Sequence, residues 1–162
     1  ISLAVRRGDG SWPGCESALI AREIIFPVAA PQVMAGAVEL KTLPDLVRQR
    51  LIHLEEPVRE RPRWRDWFAH FGVHDVRPPG GLRLNDYALV LQAAMAAEGF
   101  AFGWKHVADP LIRQGVLAAR REWCWETGKG FYLVWSKTRP LLPEAAATRD
   151  WILSESGADA TR

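Results

Sequence analysis

Two adjacent carboxylates, Glu55 and Glu56, follow the short apolar run at 50–54 and stand just before Arg59, Arg61 and Arg63. Such a pair admits three chemistries: acid/base work, counter-charge for a cationic ligand, or ion pairing with those arginines. Acid/base catalysis needs a second polar group aimed at the same atom, and the spacing offers none. Enzymatic use is therefore the weakest of the three, and no enzyme is expected. His70 and His74 lie four apart, as on one helical face, but Gly72 falls between them and is expected to end the helix, so no metal site is expected. Arg6 could bind an anionic group or pair with Asp9, and pairing is preferred. No nucleophile elbow, Walker loop or dinucleotide fingerprint occurs, Gly8-Asp9-Gly10 reads as a turn, and no cofactor is implied.

The chain has eight tryptophans. Trp64, Trp67 and Trp151 fall at helical apolar positions and are expected in the core or at an interface. Trp12 stands in a Gly/Pro-rich loop, where an indole needs a partner, either an opposite lobe or a ligand. Were Trp12 and Trp104 to meet near Glu55 or Asp86, they would suit an amine or quaternary ammonium through cation–π attraction.

These residues must be positioned by regular elements. A strand is expected at 1–5, then a turn-rich loop at 6–14, and a second strand at 24–30 whose Pro27 points to an edge or strand end. Pro31 could open a helix, and Thr42 with Asp45 fits a capping box. A strand at 50–54 and a helix from Trp64 to Phe71 follow. A strand at 81–84, a helix from Tyr87 to about Glu98 closed by Gly99, and a strand at 100–104 form a βαβ unit. A short helix at 107–114, strand-like residues at 116–125, a strand at 130–135 and a helix at 143–156 complete an α/β chain. Ligands in such sheets sit beyond the carboxyl ends of strands. That rule selects Ala30 within 29–32, Glu55 with Glu56, Asn85, Asp86 and Trp104. Asn85 and Asp86 could instead cap the helix that follows, and Trp104 could pack in the core.

Composition bounds the function. With 162 residues, 48% hydrophobic and 25% charged, the chain can bury one sizeable core or two small lobes. A net charge of +2, with bases scattered among acids, does not indicate strong phosphate-backbone binding. Cys15 and Cys124 form no CxxC pair, and a reducing cytoplasm fits. No apolar run reaches transmembrane length and no leader pattern opens the chain. The start at Ile1-Ser2-Leu3-Ala4-Val5, without Met, reads as the interior of a longer molecule.

Leu3-Ala4-Val5-Arg6 with Gly8-Asp9-Gly10 and Trp12-Pro13-Gly14 resembles the strand and hinge loop of LysR-type effector domains, in the glycine-cleavage-activator-like subgroup. Phe26-Pro27-Val28-Ala29-Ala30-Pro31 is similar to the next strand there. Leu51-Ile52-His53-Leu54, the 64–71 helix, residues 81–104, the 131–136 strand and the helix with Arg149-Asp150-Trp151 follow in the family's order. The order of elements, rather than any single motif, carries the resemblance over the whole chain.

The resemblance implies a type 2 periplasmic-binding-protein-like fold, two Rossmann-like lobes joined by crossover strands, with an effector held between them. It implies that residues 1–10 and 136–162 belong to an incomplete first lobe and that 11–135 form the second lobe with the crossover strands. The winged helix-turn-helix that binds DNA is expected to lie outside this chain. Expected ligand-binding residues are Trp12, Ala30, Glu55, Asn85, Asp86 and Trp104, and the expected effector is a small metabolite such as an amine or amino acid. The implied function is effector sensing in a cytoplasmic homodimeric or homotetrameric transcription regulator that meets DNA only through the missing domain, with no membrane contact. The alternative is a periplasmic solute-binding protein of the same fold.

Overall fold

The computed structural model describes residues 2–37, 40–77 and 80–159. In chain order they form β1 (Ala4–Gly8), β2 (Cys15–Ala29), α1 (Pro31–Gly36), α2 (Leu43–Val47), β3 (Ile52–Leu54) and α3 (Trp64–His70). Then come β4 (Leu82–Leu84), α4 (Tyr87–Met95), β5 (Ala101–Trp104), α5 (Lys105–Arg113), β6 (Ala118–Ala119), a 3-10 turn at Arg121–Trp123, β7 (Trp125–Ser136) and α6 (Pro143–Asp159). Contacts divide the chain into two compact units, Ile1–Ile24 with Glu126–Arg162, and Ile25–Trp125.

In the first unit, β7 lies between β1 and β2. β1 pairs with β7 antiparallel from Ala4 opposite Val134 to Gly8 opposite Gly130. Arg6, Arg7 and Gly8 are therefore strand, not loop, because β7 supplies a ladder that local turn propensity cannot outbid. β2 likewise begins at Cys15, well before residue 24. Its early half, CESALIARE, has too many polar residues to announce a strand. One of them, Glu23, is 0% exposed. Arg7 donates to its two carboxylate oxygens through Nε and Nη2, each at 2.7 Å, and Thr127 Oγ1 donates at 2.6 Å. A bidentate guanidinium and a hydroxyl offset the desolvation that would otherwise exclude a carboxylate from a sheet interior. On α6, Trp151 is 64% exposed, so the expectation of a core position fails for it.

In the second unit, the end of β2 pairs antiparallel with β5, Ile25 opposite Trp104 through Val28 opposite Ala101. On its other side Val28 and Ala29 meet Ala119 and Ala118 of β6. Pro27 is thus inside the sheet, not at an edge. Its carbonyl accepts from Arg120 N on the β6 side, so the N–H that proline lacks would point the same way, past the end of the two-residue β6 ladder. No β5 hydrogen bond is lost. Residues 116–125 are not a strand as expected, since pairing stops after Ala119 and a 3-10 turn follows.

β3 and β4 run parallel, Ile52 opposite Leu82 to Leu54 opposite Leu84, and a parallel bridge joins Leu51 to Phe100 at the head of β5. The expected β4–α4–β5 crossover is present, with β3 bonded on its two sides to β4 and to the head of β5. Two glycines allow β3 this close company. A Cβ on Gly81 would lie 1.9 Å from Leu51 O, and one on Gly99, at φ +151°, would lie 2.3 Å from Arg50 O. Gly99 serves that approach rather than closing α4. The helix ends earlier, where Ala97 takes φ 66°, and Ala97 N and Glu98 N bond Ala94 O and Ala93 O in a Schellman pattern. Gly72 and Gly115 end α3 and α5 in the same way, at φ 78° and 75°. Asp45 accepts from Thr42 N at 2.7 Å, completing the expected capping box of α2.

The core of this unit is aromatic. Trp67 and Phe68 are fully buried, and Trp64 tilts over Phe102 with ring centroids 4.1 Å apart. Trp64 Nε1 donates to Ile52 O at 2.9 Å, which ties α3 to β3.

Candidate functional site

The carboxyl ends of β3 and β4 frame a cavity of about 180 Å³, lined by His53, Leu54, Glu55, Pro62, Arg63, Trp64, Arg65, Arg83 and Phe102. Register explains the lining. His53 faces Arg83 across the parallel ladder, and the Leu51–Phe100 bridge sets Phe102 on the same face of the sheet. α3 covers that face and contributes Trp64, while the alternate residues Ile52, Leu82 and Leu84 take the opposite face. The cavity has an aromatic floor and a charged rim.

Glu55 pairs with Arg83 at that rim, and its backbone N–H donates to Leu84 O at 2.7 Å, which extends the β3–β4 ladder past its last strand residue. Glu56 pairs with Arg61 at 3.2 Å, with both side chains mostly buried. Of the expected ion pairs with Arg59, Arg61 and Arg63, the geometry shows the one between Glu56 and Arg61, while Glu55 pairs instead with Arg83, outside that group. Burial holds the His53 imidazole below its ordinary pKa, Arg83 pushes it the same way, and Glu55 opposes them. His53 Nε2 is buried with no hydrogen-bond partner among the described residues.

Of the six expected ligand residues, only Glu55 lines this cavity. Asn85 is exposed just past β4, and no hydrogen bond of its side chain is found among the described residues. Asp86 is the N-cap of α4, its Oδ1 accepting from Ala88 N at 2.7 Å and Leu89 N at 3.3 Å. Ala30 is fully buried and donates its N–H to Ala94 O at 3.1 Å. Trp104 is 4% exposed, with its ring edge-on to Tyr87 at 4.8 Å. Tyr87 Oη donates to Phe102 O at 3.0 Å and accepts from Trp104 N at 3.1 Å, and burial raises its pKa. Trp104 is a core residue here.

Trp12 belongs to the other unit. It meets Tyr132 edge-on at 5.6 Å, and the Arg6 guanidinium lies 5.0 Å from its ring centroid. The indole's partners are therefore in its own unit, and its face is already met by a cation. Arg6 does not pair with Asp9, whose Oδ1 instead accepts from Ser11 N at 3.0 Å in a local turn. His70 stacks on Trp125 at 4.9 Å, with planes inclined by 18°.

Arg83 and His53 were hidden from sequence reasoning as site residues. Arg83 sat in a strand read for its apolar neighbours, and His53 was one histidine among four. The signal that could have found them is period-2 alternation in two short strands of equal length, which puts both on one face once the strands are paired in parallel.

Comparison with known proteins supplies the family. Residues 1–157 match the model described as the LysR substrate binding domain. The chain is 29% identical over 159 residues to the glycine cleavage system transcriptional activator of Escherichia coli K12, covering 98% of this chain and 51% of that protein. It is 24% identical to the HTH-type transcriptional activator AmpR of Citrobacter koseri, over 94% of this chain and 50% of that one. The chain thus spans about half the length of these curated relatives. Among solved structures, the effector domain of AmpR from Pseudomonas aeruginosa superposes with a TM-score of 0.76 at 20% identity, over 99% of this chain and 75% of that one. The CrgA regulatory domain of Neisseria meningitidis gives 0.73 at 14% identity, over 96% and 75%. The fold is that of LysR effector domains, α/β and type 2 periplasmic-binding-protein-like. The curated relatives named are transcriptional activators. This chain belongs to the LysR substrate binding domain family.

Proposed function

We propose that this chain is the effector-sensing part of a bacterial LysR-type transcription regulator, and that it acts by binding rather than by chemistry. The observation that carries the reading is the cavity at the ends of β3 and β4, a concave site with convergent polar groups on a protein whose family binds effectors. A small metabolite bound with different affinity in two arrangements of the regulator shifts their populations, and no other energy source is needed. In this reading Glu55, on the cavity wall, and Asn85, exposed just past β4 with its side chain uncommitted among the described residues, are the polar groups beside the effector. Asp86 orders the turn that carries Asn85.

The regulator is taken to act in the cytoplasm as a homodimer or homotetramer, with DNA bound through a helix-turn-helix outside these 162 residues. No described helix is long and apolar enough to cross a membrane. The assignment of 1–10 with 136–162 to one lobe and 11–135 to the other belongs to the same proposal. Its test is thermal-shift screening of the chain against amines, amino acids and carboxylates, followed by promoter occupancy of the whole regulator with and without each hit. The expected result is a stabilising compound that also alters occupancy and whose affinity changes in Glu55→Ala or Asn85→Ala. Hits that leave occupancy unchanged, or affinity unaltered by both substitutions, reject the reading.

A further inference from the structure

Charge is unevenly distributed around the cavity at the ends of β3 and β4. Arg63, Arg65 and Arg83 stand against a single carboxylate, Glu55, with His53 beside them. That carboxylate is already matched by Arg83 within the wall. Arg63 and Arg65 are exposed, and neither side chain forms an ion pair among the described residues. The nearby Asp66 is committed to the backbone, accepting from Arg63 N at 2.9 Å. Two guanidiniums therefore remain without an ion pair on the rim among the described residues, above a floor made by Trp64 and Phe102. Burial holds the His53 imidazole below its ordinary pKa, with Arg83 pushing the same way and Glu55 opposing.

The aromatic cage that would favour an amine is not built. The Trp104 ring is buried against Tyr87, and the Trp12 ring already has Arg6 over it. A cation would meet net positive charge at this rim.

Resting on the effector-sensing reading above, we propose that the cavity takes a small carboxylate-bearing molecule, held by the guanidiniums of Arg63 and Arg65 with its apolar part against Trp64 and Phe102. Guanidinium matches carboxylate in a two-bond fork, which gives orientation as well as attraction. The cavity of about 180 Å³ holds on the order of six water molecules, which suits a molecule of a few carbons.

The test is a titration of the chain, followed by the Trp64 indole N–H signal in NMR, with three four-carbon probes at constant ionic strength: succinate, the neutral succinamide and the dicationic putrescine. Succinate is expected to move that signal, and the two others are not. Arg63→Gln combined with Arg65→Gln is expected to weaken succinate roughly ten-fold or more. The Arg63→Lys and Arg65→Lys pair, which keeps the charge but not the fork, is expected to fall between and guards against misfolding of the first variant. A signal unmoved by succinate, moved equally by sodium chloride, moved by putrescine instead, or moved unchanged in the glutamine variant overturns the proposal. Putrescine binding that alters promoter occupancy would overturn the carboxylate assignment and leave effector sensing standing. Succinate binding with no compound affecting occupancy would do the reverse.

Discussion

The two units handle charge in opposite ways. In the first, Glu23 lies at zero exposure inside the sheet, with Arg7 and Thr127 bonded to it. In the second, the interior is aromatic and apolar, and the charges gather at the rim of a cavity beyond the strand ends. A buried carboxylate with its partners in place has no capacity left for a ligand, so the Arg7–Glu23 pair specifies register between β1 and β2 through β7. Rim arginines in excess of their acids remain available. The difference teaches that the buried charge marks the structural part of the molecule and the unmatched charge marks the candidate site.

The largest effect is expected in the aromatic interior. Phe68→Ala, which removes a fully buried ring packed against Trp67 at 5.3 Å, should cost about 4 kcal/mol in urea unfolding. Little change would mean that the second unit does not depend on this cluster. Arg7→Met should cost about 3 kcal/mol, because Glu23 is left buried without its guanidinium, and Arg7→Met with Glu23→Leu should recover most of that loss. If the double variant is no better than the single one, the pair is not a desolvated unit and the contrast between the units collapses.

Tyr87→Phe removes the donor to Phe102 O and the acceptor for Trp104 N at a buried position, and a loss of about 1–2 kcal/mol is expected by the same unfolding measurement. The smallest effect is a pH dependence at the rim. A His53 pKa held below its ordinary value of 6.5 means that the unfolded chain binds the proton first. The stability contributed by keeping the ring neutral is complete above about 6.5 and is lost as pH falls from there through the folded value. Melting temperature against pH should therefore fall less steeply over that window in His53→Gln than in the parent chain, and parallel profiles would show that His53 is not held neutral.

Much of the second unit was legible because its signals are local. Gly72 and Gly115 end helices where expected, Thr42 and Asp45 form their box, and the strand at 81–84 leads into a helix capped by Asp86. Capping was one of two readings of Asp86, and the structure shows its carboxylate accepting from the first turn. The first unit was harder to read. Cys15 to Glu23 and Arg6 to Gly8 are strands only because β7, more than a hundred residues away, pairs with both. Local turn residues and charges pointed elsewhere, and no window of sequence contains that partner. The surroundings of Trp104 and Trp12 were illegible for a related reason. An aromatic residue at a strand end or in a loop fits either a site or the interior, and only the neighbours Tyr87 and Tyr132 decide between them.

The sequence by itself determined the α/β class, the order of elements, the resemblance to LysR effector domains and the carboxylate pair at a strand end, since these rest on period, punctuation and residue type along the chain. Only the tertiary structure decided which charges are spent and which are left over. Ion pairing at 2.7 Å between residues 7 and 23, and the facing of His53 and Arg83 across a parallel ladder, follow from strand register. Register is a relation between distant segments, fixed by burial on both faces at once, and it assigns Glu55 to Arg83 while leaving Arg63 and Arg65 at the cavity without an ion pair among the described residues.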